Sequence, residues 1–252
     1  MKKSEANFIQ PDWPAPPSVR ALTSTREGGV SLPPYASFNL ARHVGDNSEH
    51  VDHNCSVLKQ QLALAGEPHW LKQVHGNALL NLDRNVTDNV ADGSFTKLTN
   101  KVCAVMTADC LPVLMCSSAG DRVAAVHAGW RGLAAGIIRK AVEAMAVEGS
   151  QLLVWLGPAI GPKKFDVGEE VYHAFVGRIA GTENAFEPIE AGHWRADLYQ
   201  LARLQLQALG VNQVFGGEFC TYTDKEHFYS YRRDGVTGRM ASLVWIRDEA
   251  GD

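Results

Sequence analysis

Two runs of apolar, β-prone residues separated by a short turn constrain this fold more than any other feature of the sequence. The runs cover residues 111–116 and 122–126, and the residues between them are typical of turns. An antiparallel hairpin whose turn is centred between Ser118 and Ala119 places Cys110 opposite His127. Directly opposed side chains in such a pair have Cβ atoms about 5 Å apart, which is close enough to share a metal ion or a proton.

Two further features surround this pair. Pro112 has no amide hydrogen, so we expect the hairpin ladder to loosen just beyond Cys110. Residues 128–132 contain two glycines and lead into a helical pattern over residues 133–147. The amides that begin this helix, with Arg131 beside them, predict an anion-binding position. The sequence thus predicts a thiol, an imidazole and an anion site in one region.

Composition limits the classes of function. The chain has 252 residues, 45% hydrophobic and 21% charged, and its net charge of −4 argues against nucleic acid or a membrane surface as a partner held by bulk electrostatics. No apolar run approaches the roughly 20 residues of a membrane span, and the N-terminus lacks the apolar core of a secretory signal. Five cysteines without a Cys-x-x-Cys pair favour a reducing compartment. We therefore expect a cytoplasmic protein that binds neither nucleic acid nor membrane.

The remaining patterns indicate how the chain is organised. Residues 1–18 contain four prolines and are predicted to form a loose N-terminal arm, and residues 19–252 a single domain. Strand patterns alternate with helix patterns but also pair through hairpins, so the predicted fold class is α+β, with mixed β-sheets flanked by helices in a layered single domain. Strands are predicted over residues 19–25, 70–76, 78–82, 151–156, 211–215 and 240–246. Helices are predicted over residues 48–64, 133–147, 168–181 and 196–209, and a long functional loop over residues 83–100. Asn47 or Ser48 is expected to cap the first of these helices, and Asp197 to lie near the N-terminus of the last.

Three residues that ligate zinc readily lie at predicted strand ends. His75 ends one strand, His127 ends another, and Cys110 lies between them in the sequence. Zinc prefers cysteine and histidine, and a catalytic zinc site keeps three protein ligands and one open position. If the strand ends meet at one sheet edge, these three residues can form such a site.

Several motifs resemble those of one family and occur in that family's order. They are LKQVHG at 71–76, TADCLP at 107–112 and HAGWRG at 127–132, with further blocks at 37–40, 157–162, 165–168, 231–233 and 237–239. The chain from about residue 20 to residue 246 thus resembles the laccase-domain family, also called polyphenol oxidase or bacterial purine nucleoside phosphorylase/adenosine deaminase.

The resemblance implies a single zinc ion held by His75, Cys110 and His127, in mixed sheets flanked by helices. It also implies cytosolic phosphorolysis of adenosine, inosine and methylthioadenosine, and hydrolytic deamination of adenosine. Purine nucleosides and phosphate are then the small-molecule partners. The oligomeric state is left open.

Acid–base chemistry adds two carboxylates to the candidate site. Zinc lowers the pKa of bound water from about 15.7 toward 7, which would supply hydroxide to the purine. Asp92 and Asp109 are candidates to pass protons to the leaving ammonia, and Asp109 is also expected to orient a histidine ligand.

Phosphorolysis requires a cationic site for phosphate. Arg131 is the predicted phosphate ligand, because guanidinium suits bidentate contacts. The other candidates come from the motifs: Arg232, Arg233 or Arg239 to close over the phosphate, Asn39 and Gln73 to bond the ribose or base, and Tyr231 or Trp130 to stack on the purine.

Three alternative functions are compatible with the same residues. Copper in place of zinc would suggest a polyphenol oxidase, although the chain has no His-x-His pair of the kind that builds a trinuclear copper centre. A metal-free cysteine hydrolase acting on an amide or a cell-wall peptide would use Cys110 as nucleophile and His127 as base, and would not require His75. A zinc-stabilised interaction module would need a fourth protein ligand.

Overall fold

The computed structural model describes residues 8–248, in which three β-sheets are surrounded by helices. The strands are β1 Phe8–Ile9, β2 Val19–Ser24, β3 Pro68–His69, β4 Leu79–Asn81, β5 Gly93–Thr96, β6 Val102–Thr107, β7 Leu111–Ser117, β8 Val123–Ala128, β9 Leu152–Leu156, β10 Asp166–Gly168, β11 Phe186–Glu190, β12 His193–Ala196, β13 Gln213–Gly216 and β14 Met240–Ile246. The α-helices are α1 Ser48–Gln61, α2 Trp130–Ala134, α3 Ile137–Met145, α4 Glu169–Phe175, α5 Leu198–Ala208 and α6 Tyr231–Asp234.

Parallel and antiparallel pairs occur within the same sheets. The first sheet has the order β1-β2-β14-β6-β3, the second β13-β9-β7-β8-β5-β4 and the third β10-β12-β11. In the second sheet, β9 pairs antiparallel with β7 and parallel with β13. In the first, β6 pairs antiparallel with β14 and parallel with β3. The prediction of an α+β fold with mixed sheets flanked by helices is confirmed.

The first two sheets pack face to face, and helices cover their outer faces. Val105 and Val244 of the first sheet pack with Leu114 and Trp155 of the second in one buried cluster. Residues of α3 and α5 pack on the other face of the second sheet, and α1 on that of the first. Strands buried on both faces, such as β7, are continuous apolar runs, and each fully buried Val or Leu contributes about 1.5–3 kcal/mol. Within residues 8–248, no helix is long and apolar enough to cross a membrane.

The two longest helices begin at capping residues that the sequence indicates. The side chain of Asn47 accepts a hydrogen bond from the amide of Glu49 at 2.8 Å, and that of Asp197 accepts one from the amide of Gln200 at 3.0 Å. Both predicted helices are confirmed, although α1 ends three residues before the predicted position at residue 64.

The central hairpin forms with a different register from the predicted one. His127 pairs with Pro112 rather than with Cys110, which lies just outside the ladder. Gly120 adopts a φ of +72°, and the turn is centred one residue later than predicted. The shift of two residues keeps every side chain on its predicted face, because side chains alternate with a period of two.

Several predicted elements are wrong in detail. The helix predicted over 133–147 is two helices, α2 and α3, because Gly136 between them has a φ of +82°. The strand predicted over 70–76 is absent: β3 covers only Pro68–His69, and His75 has a φ of +59°, outside the β region. The loop predicted over 83–100 contains β5, and the helix predicted over 168–181 ends at residue 175. The third sheet was not predicted.

The predicted N-terminal arm is partly described. Residues 1–7 of the arm and residues 249–252 lie outside the described residues. Phe8–Ile9 form β1, which pairs antiparallel with β2, and Trp13 and Ala15 pack against the inner core. The described part of the arm is therefore attached to the first sheet.

Candidate metal centre and active-site cavity

His75, Cys110 and His127 converge in the structure. One ligand atom from each lies within 4.8 Å of those of the other two. Cys110 immediately precedes β7, His127 lies in β8, and His75 lies in the irregular segment between β3 and β4. His127 is buried, Cys110 is half-buried and His75 is exposed, so the cluster is open on the side of His75.

Local backbone geometry brings the three side chains together. His75 and Asp109, the residue before Cys110, both have positive φ values, of +59° and +98°. Such conformations are costly for residues other than glycine and persist where the surrounding structure enforces them. A Cβ atom on Gly129 would lie 3.0 Å from Sγ of Cys110 and 3.2 Å from Cδ2 of His75, so only glycine leaves room for both ligands.

A single buried carboxylate contacts the imidazole of His127 and the backbone of His75. Oδ1 of Asp92 accepts a hydrogen bond from the amide of His75 at 2.9 Å and lies 2.8 Å from Nδ1 of His127. Oδ2 accepts hydrogen bonds from the amides of Gly76 at 2.7 Å and Val74 at 3.3 Å. Asp92 is fully buried, and all four contacts fall on its two oxygens, so in this structure its carboxylate contacts the histidine ligands rather than the open cavity. Its expected part in proton transfer stays a prediction.

The contact with Asp92 fixes the tautomer of His127. When Nδ1 donates its proton to the carboxylate, the lone pair of Nε2 is free for a metal ion. Burial raises the pKa of Asp92, but hydrogen bonds from His127 and Gly76 outweigh it and hold that pKa below its usual value. The carboxylate is therefore ionised at neutral pH.

The electrostatics of the metal-free cluster favour a thiolate beside an imidazolium. Burial opposes ionisation of Cys110, but the charges and hydrogen bonds of His127 and His75 outweigh it and lower the pKa of the thiol to about 6. Burial also disfavours charge on His127, and Cys110 and Asp92 overcome it and raise the pKa of that imidazole to about 9. One thiolate and two imidazoles, one of them backed by a carboxylate, form a donor set that fits zinc, and the same soft ligands also suit copper(I).

The cluster lies at the wall of a cavity of about 600 Å³. The cavity is lined by cationic, aromatic and apolar side chains together with the three cluster residues. The lining residues include His43, Gln73, Asp109, Trp130, Arg131, Phe165, Tyr231, Arg232 and Arg239.

Three arginines face this cavity. The guanidinium of Arg131 lies 4.3 Å from the ring centroid of Trp130, and that of Arg239 lies 5.8 Å from the ring of Tyr231. Arg232 donates from Nη1 to the carbonyl of Asp166 at 2.8 Å. These contacts leave further guanidinium N–H groups to bind an anion.

Two predicted substrate ligands have other tasks. The guanidinium of Arg233 directs all five of its N–H groups at protein oxygens, in Thr221, Tyr222, Phe228 and Asp234.

Asn39 is likewise fully buried. Its amide nitrogen donates to Ala41 and Asp46, and its oxygen accepts from the amides of Ala41 and Arg239. In this structure neither Arg233 nor Asn39 has a free polar group for phosphate or nucleoside.

The remaining predicted residues line the cavity with different partners. The side-chain amide of Gln73 exchanges two hydrogen bonds with the backbone of Met106, at 2.8 and 2.7 Å, so it forms cavity wall. Asp109 was expected to orient a histidine, but its carboxylate accepts from Thr221 and from the amide of Arg232. The carboxylate that contacts the ring of His127 is that of Asp92 instead.

Sequence reasoning missed three residues of this region, His43, Phe165 and Thr221. His43 and Phe165 belong to or adjoin matched motif blocks, which is a signal that could have identified them. Thr221 lies in no such block, and only the three-dimensional contact with Asp109 reveals it.

The chain is similar to known proteins over nearly its whole length. The model of the family described as multi-copper polyphenol oxidoreductase laccase matches residues 20–247. The chain is 52% identical over 243 residues to purine nucleoside phosphorylase YfiH of Shigella flexneri, covering 96% of this chain and 99% of that protein. It is 51% identical, with the same coverage, to the protein of the same name from Escherichia coli strain K12.

Solved structures show the same fold. Protein NMB0706 of Neisseria meningitidis superposes with a TM-score of 0.91 at 47% identity, covering 96% of this chain and all of that one. YlmD of Geobacillus stearothermophilus superposes with a TM-score of 0.88 at 29% identity, covering 97% of this chain and all of that one. The chain therefore belongs to the multi-copper polyphenol oxidoreductase laccase family.

Proposed function

We propose that this chain is a zinc-dependent purine nucleoside phosphorylase that also deaminates adenosine, and that it acts in the cytoplasm. The observation that carries the proposal is a three-ligand cluster, open on one side, in the wall of an arginine-lined cavity. The relatives named purine nucleoside phosphorylase support the substrate class. Adenosine, inosine and methylthioadenosine are the proposed nucleosides.

The chain's own residues bind and orient the reactants. Zinc, when bound to the cluster, supplies Lewis-acid chemistry that activates water or polarises a leaving group. Arg131, Arg232 and Arg239 bind phosphate and offset the charge that develops as the base departs. The aromatic faces of Trp130 and Tyr231 are available to stack on the purine.

A proton acceptor is also present in the cavity. Burial, together with the nearby charge of Arg239, lowers the pKa of His43, so its imidazole is neutral at neutral pH. A neutral imidazole accepts a proton at its unprotonated ring nitrogen. We assign to His43 the exchange of a proton with the purine or its leaving group.

The test is product analysis with metal-analysed protein. Adenosine incubated with phosphate should give adenine and ribose 1-phosphate, and omission of phosphate should abolish both. Inosine formed without phosphate would support deamination. Neither set of products from zinc-loaded protein would remove the nucleoside assignment.

The ligand set favours one metal ion over the several copper ions of a multicopper oxidase. In the part of the chain that the structure describes, one group of metal-ligating side chains is close enough to hold an ion, and it offers three ligands. A trinuclear copper centre requires many more imidazoles in one place.

A second candidate, the cysteine hydrolase, is favoured by one specific observation. Asp92, His127 and Cys110 form a continuous series in which a carboxylate orients an imidazole that contacts a thiol of lowered pKa. This arrangement is typical of cysteine nucleophiles, and its nucleophile, base and carboxylate do not include His75. A His75→Ala variant that retains full activity without zinc would support the hydrolase and contradict the zinc enzyme.

A further inference from the structure

The segment that carries Cys110 is connected to the segment that carries Arg232 by a buried hydrogen-bond network. The carboxylate of Asp109 accepts a hydrogen bond from Oγ1 of Thr221 at 2.6 Å through Oδ1, and one from the amide of Arg232 at 2.7 Å through Oδ2. Thr221 is fully buried and Asp109 is nearly so. Hydrogen bonds to a buried carboxylate are among the stronger ones in proteins.

Backbone hydrogen bonds hold the same residues from a second side. The carbonyl of Asp109 accepts from the amide of Ile160 at 2.9 Å, and the amide of Thr221 donates to the carbonyl of Ala159 at 3.0 Å. The φ of +98° at Asp109 requires such enforcement, because a residue with a Cβ atom does not favour that conformation. The position of Asp109, and with it the start of β7, is therefore determined from several directions.

The network ends at a side chain that faces the cavity. Arg232 is the second residue of α6, and Arg233, the next, is fixed into the protein by its five hydrogen bonds. The guanidinium of Arg232 also lies 5.3 Å from the ring centroid of Phe165. Because Asp109 holds the amide of Arg232, movement of Asp109 displaces this cation relative to the metal cluster.

We propose that Asp109 and Thr221 are positioning residues that set the location of Arg232, and through it the phosphate subsite, relative to the metal ligand Cys110. The inference rests on the proposed function, since it assigns the phosphate of the phosphorolysis reaction to Arg232. Thr221 acts at a distance from the substrate, by completing the hydrogen bonds of the Asp109 carboxylate.

The test is a Thr221→Val variant, which keeps the shape of the side chain and removes the hydroxyl. We expect KM for phosphate to rise by up to about tenfold, the equivalent of one whole hydrogen bond to a charged group, with little change in KM for the nucleoside. Zinc content should be retained. Thr221→Ser, which restores the hydroxyl, should recover the wild-type KM for phosphate. Thr223→Val is the matched control, because that exposed hydroxyl contacts Cys220, at its carbonyl and its thiol, and not Asp109 or Arg232.

Two results would overturn the inference. One is an unchanged KM for phosphate in Thr221→Val; the other is an equal rise in both KM values or a loss of zinc, which would indicate general loosening of the fold. If the wild-type protein shows no phosphorolysis, the proposed function fails separately. In that case calorimetric titration with inorganic phosphate tests the role of Thr221 without an activity assay. The role is rejected if wild type and Thr221→Val bind phosphate with equal affinity, or if wild type does not bind it.

Discussion

Replacement of Asp92 by asparagine removes one acceptor oxygen at the point where the imidazole of His127 and the backbone of His75 are held. Each carboxylate oxygen faces two donors: the amide of His75 and Nδ1 of His127 on one side, the amides of Val74 and Gly76 on the other. In either orientation of the new amide, its NH₂ group faces two of these four groups. Loss of two hydrogen bonds to a charged acceptor costs about 3 kcal/mol in the free energy of unfolding.

The effect on the metal follows from the same geometry. If the NH₂ group faces His127, Nδ1 must accept a hydrogen bond rather than donate one, and Nε2 then carries the hydrogen and loses its free lone pair. If the NH₂ group faces the opposite side, the amides of Val74 and Gly76, which flank His75, lose their hydrogen-bond acceptor. Both orientations disturb a ligand, and changes to such partners lower metal affinity about 10–100-fold.

Chelator competition and urea unfolding measure these two effects of Asp92→Asn. Asp88→Asn is the matched control, because Asp88 is exposed and accepts only from the amide of Val90. Zinc binding by Asp92→Asn with the affinity of wild type would refute the assignment of Asp92 as the residue that positions both histidines.

Three further predictions concern the same site. Gly129→Ala should lower zinc affinity severalfold in chelator competition, because the new Cβ atom would lie in close contact with Sγ of Cys110. An unchanged affinity would show that the ligands have more room than this distance indicates. Arg131→Ala should raise KM for phosphate about tenfold in steady-state assays, whereas Arg178→Ala, on the surface near α4, should not. In metal-free protein, the rate of alkylation of Cys110 by iodoacetamide should be half-maximal near pH 6. Cys103 should not react below pH 9, because burial raises the pKa of its thiol to about 12. The Cys110 thiolate stabilises the folded state above pH 9, and this contribution is lost as the pH falls to about 6, because its folded pKa lies below the ordinary value of 9.0.

The sequence correctly predicted those helices and strands that are determined by nearby residues, such as capping side chains and apolar runs. Asn47 and Asp197 cap α1 and α5 as their side chains suggest, and β14 has the bounds that its apolar run indicates. The convergence of the ligands was also predicted, although the inferred register was displaced by two residues. Since that displacement preserves the face of each strand, it left the thiol and the imidazole on the same side.

The missed features depend on contacts between distant segments. A positive φ at His75 is set by the amides that bind Asp92, and nothing in the apolar pattern of residues 70–76 reveals it. The contact with the histidine ring also falls to a different carboxylate from the expected one, for the same reason. Asp109 is next to a ligand in the sequence, but the strand order places Asp92 beside His127, at the start of β5, which pairs with β8. Sequence proximity was a poor guide because β-sheet neighbours come from distant parts of the chain.

Zinc K-edge X-ray absorption on the stoichiometrically loaded protein tests the central claim most directly. The account predicts one sulfur ligand at about 2.3 Å and two imidazole nitrogens at about 2.0–2.1 Å, with the sulfur contribution lost in Cys110→Ser. A spectrum without sulfur, or one in which zinc is held by four protein ligands, would contradict it.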